Sequence, residues 1–256
     1  MTDTVQSADG TVIAYEVHGA GPVLVLVDGA MCFRDSGPMR GIADAVGERL
    51  RVVLYDRRGR GASGDTAPYA VEREIEDLAA IIDAVGAPAA LFGMSSGGAL
   101  ALRAAAALDV VPRVAVYEPP FMPEPALAGA RAYTAELTDA LDRGDRDAAV
   151  AAFLRRVGMP EQSVAGIRSS PAWSGMTALA PTLAYDDRAM GDSRVPAFDL
   201  GDTRVLALAG GASPDFLQYG ARAVAEATGG RFEVLDGQTH DIAPAAAAAA
   251  LIAFVS

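Results

Sequence analysis

Gly93-Met94-Ser95-Ser96-Gly97 is the only place in the chain where a serine has glycine two residues away on either side. A serine hydroxyl is a weak nucleophile until a base takes its proton. Held on a sharp turn from strand to helix, it projects clear of the sheet, and the flanking glycines are needed because side chains there would collide as the chain reverses. Two histidines are available as the base. His18 precedes Gly19-Ala20-Gly21, the setting of a strand-end or surface imidazole. His240, in Gly237-Gln238-Thr239-His240-Asp241, falls after the last predicted strand, where a loop can return over the serine. Ser95 as nucleophile and His240 as general base would together carry out acyl transfer.

The carboxylate that orients the base has three candidates. Asp215 sits in Ser213-Pro214-Asp215, which also reads as an N-cap, a first-turn proline and an acid favouring the helix dipole. Asp241 adjoins the base and serves its loop. Glu118, in Tyr117-Glu118-Pro119-Pro120, ends the strand after the elbow helix, and the two prolines would hold its carboxylate rigidly. Tetrahedral acyl chemistry also needs donors for an oxyanion, and the backbone N–H of Ser96 at a helix N-terminus is one.

These groups must be carried by an alternating series of elements. Val12–Glu16, Val23–Val27, Arg51–Tyr55, Ala89–Gly93, Val111–Tyr117, Arg204–Ala209 and Arg231–Leu235 are short apolar or alternating runs bounded by glycine, proline or charge, as strands require. Val71, Ile75, Leu78, Ile82 and Val85 recur at helical spacing up to Gly86, and alanine-rich helices are predicted over Ser96–Leu108, Pro214–Ala227 and the C-terminal stretch. Between Val27 and Arg51 a loop is expected. Strand, helix, strand in repetition implies an α/β fold, a mostly parallel sheet flanked by helices. From Pro119 to Pro196 strand signals stop and helices such as Ala126–Leu141 and Ala148–Val157 take over. A structureless connection of that length is improbable in a compact domain, so residues 119–196 are expected to form a helical cap inserted in a core of residues 1–118 and 197–256.

The order of elements, the Gly93–Gly97 elbow and the late His240 resemble the α/β-hydrolase superfamily over nearly the whole chain. Asp56-Arg57-Arg58-Gly59-Arg60-Gly61-Ala62-Ser63 resembles the turn that follows the strand before the elbow unit there, where its role is structural. Many relatives carry the triad acid in a G-x-x-D pattern after the cap, but Gly210-Gly211-Ala212-Ser213 has serine at that place. Haloalkane dehalogenases and zearalenone-lactonase-like hydrolases carry it at the strand end that Glu118 occupies, and the resemblance implies the same role for Glu118. It also implies a second oxyanion donor, the backbone of Gly29 or Ala30, in a loop that often begins His-Gly but here reads Asp28-Gly29-Ala30-Met31. Asp-Gly in that loop, the double serine, and glutamate followed by proline are together most similar to the zearalenone-lactonase-like subgroup. The activity implied is hydrolysis of an ester or lactone.

An apolar pocket above Ser95 is expected from Met31, with Cys32 and Phe33 beside it, from Met94 in the elbow, and from Phe121 and Met122 entering the cap. Trp173 and Tyr185 would close it, and Asp28 would lie beneath or beside it. The substrate would be a hydrophobic small molecule.

The chain has 256 residues, enough for one large domain, with 51% hydrophobic and 21% charged residues. Its net charge of -12 disfavours nucleic acid and anionic membranes as partners. All basic residues are arginine, so lysine Schiff-base chemistry is excluded. Two histidines and the single Cys32 give no metal-ligand spacing, and no dinucleotide fingerprint appears, so neither metal nor cofactor is expected. The N-terminal residues lack a signal-peptide pattern and the alanine run 245–250 is too short to span a bilayer, which points to a cytoplasmic protein. A homodimer is compatible with this reading. Alternative reactions on the same fold are lyase or cyclase chemistry, or ligand binding without turnover.

Overall fold

The computed structural model describes residues 2–86 and 88–256. The strands β1 (Asp3–Gln6), β2 (Val12–His18), β3 (Val23–Val27), β4 (Arg51–Tyr55), β5 (Ala89–Met94), β6 (Arg113–Tyr117), β7 (Arg204–Gly210) and β8 (Arg231–Leu235) form one sheet in the order β1-β2-β4-β3-β5-β6-β7-β8. The β1–β2 and β2–β4 pairings are antiparallel, and the remaining pairings are parallel. The α/β class expected from the alternation is therefore found, with an antiparallel edge.

Side chains alternate across a strand, and here each alternation feeds a different core. Val23, Val25 and Val27 of β3, with Leu91 of β5 and Val114 of β6, face α2 (Val71–Val85), α3 (Ser96–Ala107) and α9 (Asp215–Thr228). Leu24 and Leu26, with Phe92 and Tyr117, face α1 (Met39–Val46) and α10 (Pro244–Val255). The strands that are buried on both faces are the near-continuous apolar runs visible in the sequence. Helix α1 lies in the stretch expected as a loop, and it buries Met39, Ile42, Ala43 and Val46, a stripe only two turns long. Strand β1 was also unannounced, since its four residues are mostly exposed and pair on one side only.

Between β6 and β7 the chain forms α4 (Leu127–Asp142), α5 (Arg146–Arg156), α6 (Glu161–Arg168), α7 (Ala172–Leu179) and α8 (Leu183–Met190), with two short 3-10 turns. These helices share their own small core, which includes Leu137, Val150, Leu154, Val164 and Leu183. Helix α8 packs against α3, the helix that follows Ser95.

The sheet order places the site. After β3 the chain moves outward to β4 and then returns past β3 to β5, so the strand order reverses between β3 and β5. In open parallel sheets, ligands bind beyond the carboxyl ends of the strands at such a reversal. Asp28-Gly29 leaves β3 there, and Ser95 leaves β5 beside it.

The crossing is crowded. A Cβ on Gly93 would lie 2.3 Å from the Gly97 carbonyl oxygen and 2.7 Å from Gly98 Cα, backbone atoms that cannot swing aside. Gly93→Ala is expected to destabilise the protein by about 1–3 kcal/mol, the range of overpacking in a close-fitted interior. Gly129→Ala, in open space on α4, should instead stabilise it by about 0.5–1 kcal/mol through helix propensity. Urea unfolding followed by circular dichroism measures both.

Candidate functional site

Ser95 has φ 54° and ψ -130°, a strained conformation for a residue with a side chain, and it directly precedes α3. Its N–H donates to the Tyr117 carbonyl at 2.9 Å and its own carbonyl accepts from Gly98 at 2.9 Å, so β6 and α3 together hold the turn. The loop after β3 lies against it, and a Cβ on Gly29 would come within 3.1 Å of Ser95 Cβ.

Glu118 extends β6 by one residue, with φ 45° and no solvent exposure. One carboxylate oxygen accepts the Gly210 N–H at 2.7 Å; the other lies 2.7 Å from His240 Nδ1. The loop that carries His240 is fixed from below, because Tyr117 Oη donates to the Thr239 carbonyl and the Ala212 N–H donates to the Gln238 carbonyl. A carboxylate at Nδ1 sets the imidazole tautomer and leaves Nε2 free on the side away from the acid. No hydrogen bond joins Ser95 Oγ to His240 among the described residues. Both line one cavity, and such contacts commonly tighten only when substrate is bound.

The other acids lie elsewhere. Asp215 is exposed in the first turn of α9 after Pro214, and Asp241 is exposed at the cavity rim. His18 ends β2, half-exposed, with Nε2 3.1 Å from Glu16.

The cavity has a volume of about 570 Å³, within the range of small-molecule sites. Ser95, Ser96, Ala30 and His240 line it from the sheet side; Met122, Ala130, Phe153, Val157 and Met190 add an apolar wall. Of the residues expected in the pocket, Met122 lines it. Met94, the last residue of β5, and Phe121, in the loop after β6, are instead buried in the cores on the two faces of the sheet. Met31 and Trp173 pack into the core of the inserted helices, where Trp173 Nε1 donates to Asp147 at 2.7 Å. Tyr185 stacks on Tyr69 and donates to Asp65.

Asp28 is 2% exposed and is not part of the cavity wall. It lies beneath the loop next to Gly37 and Cys32, and its Oδ1 has no hydrogen-bond partner among the described residues. Burial outweighs the nearby Arg60 and Arg57 and pushes its carboxyl up to about 7. Burial, with Asp28 beside it, also pushes the Cys32 thiol up to about 12, which makes the one cysteine a poor nucleophile.

The turn after β4 contributes more than its shape. Arg57 and Arg60 are fully buried, and each grips the loop after β3 by its carbonyls: Arg57 Nη1 donates to Asp28 O at 3.1 Å, and Arg60 Nη1 to Gly29 O at 2.6 Å and Cys32 O at 3.2 Å. Arg57 is paired bidentately with Glu74 of α2, at 2.7 Å on both oxygens. Both arginines also reach Asp186 of α8, at 2.6 Å each, and Ser96 Oγ donates to the same carboxylate at 2.8 Å. The arginine run was legible in the sequence, whereas Asp186 was not, since one of two adjacent aspartates on a helix carries no local signal.

The chain matches the α/β hydrolase family over residues 17–254. It belongs to that family. An α/β hydrolase from Sphaerobacter thermophilus is similar to it at 43% identity, covering 99% of this chain and 100% of that one, with a TM-score of 0.86. The bottromycin epimerase BotH, solved with bottromycin A2, is similar at 25% identity over 100% of this chain and 99% of its own, with a TM-score of 0.69. A putative carbamate hydrolase, RutD, of Azorhizobium caulinodans is 35% identical over 36% of this chain. The match spans 35% of the length of each curated relative found. Among the described residues, no helix is long and apolar enough to cross a membrane.

The raised Asp28 carboxyl makes stability depend on pH with a definite sign. In the unfolded chain this group ionises near 4; in the folded protein it holds its proton to about 7. Its contribution is therefore complete below pH about 4, declines through the interval up to about 7, and is lost above. Asp28→Asn cannot ionise, so its stability relative to the parent should rise across that interval by up to about 1.4 kcal/mol per pH unit and flatten beyond it. Parallel urea titrations from pH 4 to 8 measure the difference.

Proposed function

We propose that this protein is a cofactor-free serine hydrolase that cleaves a carboxylic ester or lactone of a hydrophobic small molecule through an acyl-enzyme. The observation that carries this reading is the carboxylate of Glu118, held by the Gly210 N–H on one oxygen and reaching His240 Nδ1 with the other, while His240 and Ser95 line the same cavity.

In this mechanism His240 Nε2 takes the Ser95 proton as Oγ attacks the carbonyl carbon. Glu118 stabilises the imidazolium that forms and fixes its tautomer. The tetrahedral oxyanion is received by the Ser96 N–H at the start of α3 and by the Ala30 N–H. The Gly29 carbonyl is turned to Arg60, and in a trans peptide the N–H that follows points the opposite way. The Gly29 N–H is the neighbouring donor. His240 then protonates the leaving oxygen, and afterwards draws a proton from the water that releases the acid. Ser95 approaches the substrate from a conformation already fixed by the fold, so little ordering remains for the reaction step.

Residues 119–196 act as the cap over residues 1–118 and 197–256, and they supply much of the apolar wall against which an acyl or alcohol group rests. Similarity to the zearalenone-lactonase-like pattern favours a lactone. A carbamate, the substrate type in the name of one partial relative, would undergo the same carbonyl attack. A net charge of -12 is consistent with a small-molecule substrate rather than a nucleic acid or anionic membrane, and a single unreactive thiol is consistent with a cytoplasmic setting.

The similarity to an epimerase favours, as the second reading, a natural-product transformation without hydrolysis in the same cavity. Fluorophosphonate labelling with peptide mapping separates the two: modification of Ser95, lost in Ser95→Ala, supports the hydrolase, and unlabelled folded protein moves the assignment to the second reading. Among labelled protein, Glu118→Gln should lower kcat/KM for p-nitrophenyl esters by roughly 10²–10⁴, the range for losing the group that orients a catalytic histidine. Asp215→Asn should leave it within about twofold, as expected of an exposed residue whose carboxylate makes no contact with His240 among the described residues. Retained activity in the first and collapse in the second would reverse the acid assignment.

A further inference from the structure

One carboxylate of the cap touches both sides of the proposed oxyanion site. Asp186 projects from α8, is 5% exposed, and accepts three charged or polar contacts: Ser96 Oγ at 2.8 Å and Arg57 Nη1 at 2.6 Å on Oδ1, and Arg60 Nη2 at 2.6 Å on Oδ2. Ser96 is the residue whose N–H opens α3. Arg57 and Arg60 are the residues that hold the carbonyls of Asp28 and Gly29 and thereby aim the following N–H groups. Removing Asp186 from this arrangement would leave two fully buried guanidiniums, only one of which has another carboxylate partner, Glu74 on Arg57. Burial alone would push the Asp186 carboxyl up, but Arg60 and Arg57 outweigh it and keep it below its ordinary value, so it is charged when it does this.

We infer that Asp186 is a positioning residue for the oxyanion site, a strut from the cap that sets the spacing between the Ser96 and Gly29–Ala30 donors through Ser96 Oγ, Arg57 and Arg60. The inference rests on the serine-hydrolase reading. It assigns the cap a part in the chemical step as well as in substrate choice. Binding of the ground-state ester depends mainly on the apolar wall, while the donors matter most when charge has developed on the carbonyl oxygen. Loosening the strut should therefore weaken the transition state and spare the ground state.

The test uses p-nitrophenyl butyrate as substrate and phenylboronic acid as a tetrahedral mimic, on the full chain. Wild-type labelling by fluorophosphonate is established first, so that failure of the serine reading is seen separately; it would remove this inference as well. Asp186→Asn is expected to lower kcat by roughly 10–100-fold, short of or equal to the 10²–10³ measured when a donor is deleted outright. KM should stay within about twofold, and the boronate inhibition constant should rise in proportion to the fall in kcat/KM. Ser96→Ala keeps the backbone N–H and both arginine pairs and removes one hydrogen bond, so it decides the matter if Asp186→Asn does not fold. It should lower kcat several-fold, about what one hydrogen bond to a charged group is worth, with the same pattern in KM and boronate affinity. A labelled wild type whose folded variants keep kcat and boronate affinity, or change KM alone, would overturn the assignment.

Discussion

Everything at the site depends on how closely three stretches of backbone approach at the ends of β3 and β5. A Cβ at Gly97 would stand 2.3 Å from the Val27 carbonyl oxygen, and one at Gly29 would meet Met94 O at 3.0 Å. At Gly97 only a residue without a side chain allows this approach, at Gly29 a side chain would have to push its neighbours aside, and Ser95, pinned between them with positive φ, has few conformations left. Its rigidity comes from crowding, which is why the neighbouring elements are spent on holding the backbone: β6 accepts the Ser95 N–H, and the turn after β4 takes the carbonyls of the loop opposite. The strain at Ser95 is matched by that at Glu118, whose φ is also positive. Both persist because the surrounding sheet leaves no alternative path.

The parts of this arrangement that obey a local rule were legible in the sequence. The parallel strands announce themselves because both faces are buried, and the elbow because its glycines are fixed by sterics. Glu118 was singled out through the resemblance, which makes the serine at position 213 a departure from the usual acid site and implies the role for the strand end before Pro119, and the structure brings its carboxylate to His240. Helix α1 and strand β1 were not legible, the first because two turns give too short a stripe and the second because it is half-solvated. The pocket was the least legible part. Met94 and Phe121 are apolar and near the serine in sequence, but whether a side chain faces a cavity or a core depends on strand parity and on helices far along the chain. Asp186 lies ninety residues from its hydrogen-bond partner Ser96, and no spacing rule reaches that far.

The chain has no lysine, so its permanently charged cationic side chains are all arginine, and three of them between positions 57 and 60 are exposed by 1% or less. A guanidinium suits such positions because its planar fork can satisfy several oxygens at once and cannot lose its charge. Arg58 does this structurally, bidentate to Asp77 at 2.8 and 2.7 Å and reaching Asp9 at 2.9 Å, whereas Arg57 and Arg60 do it on the carboxylate that Ser96 also meets. The same turn thus fastens the edge of the sheet and the floor of the cavity.

The position of Glu118 at the end of β6 has a consequence for the end of β7. With Ser213 there and the carboxylate one strand inward, the segment after Gly210 meets the loop that carries His240 through a backbone hydrogen bond, from the Ala212 N–H to the Gln238 carbonyl. Ala212, Pro214 and Phe216 from this segment line the cavity. Side chains at these three positions can therefore change the shape of this part of the wall without touching the hydrogen bonds that join Glu118 to Gly210 and to His240.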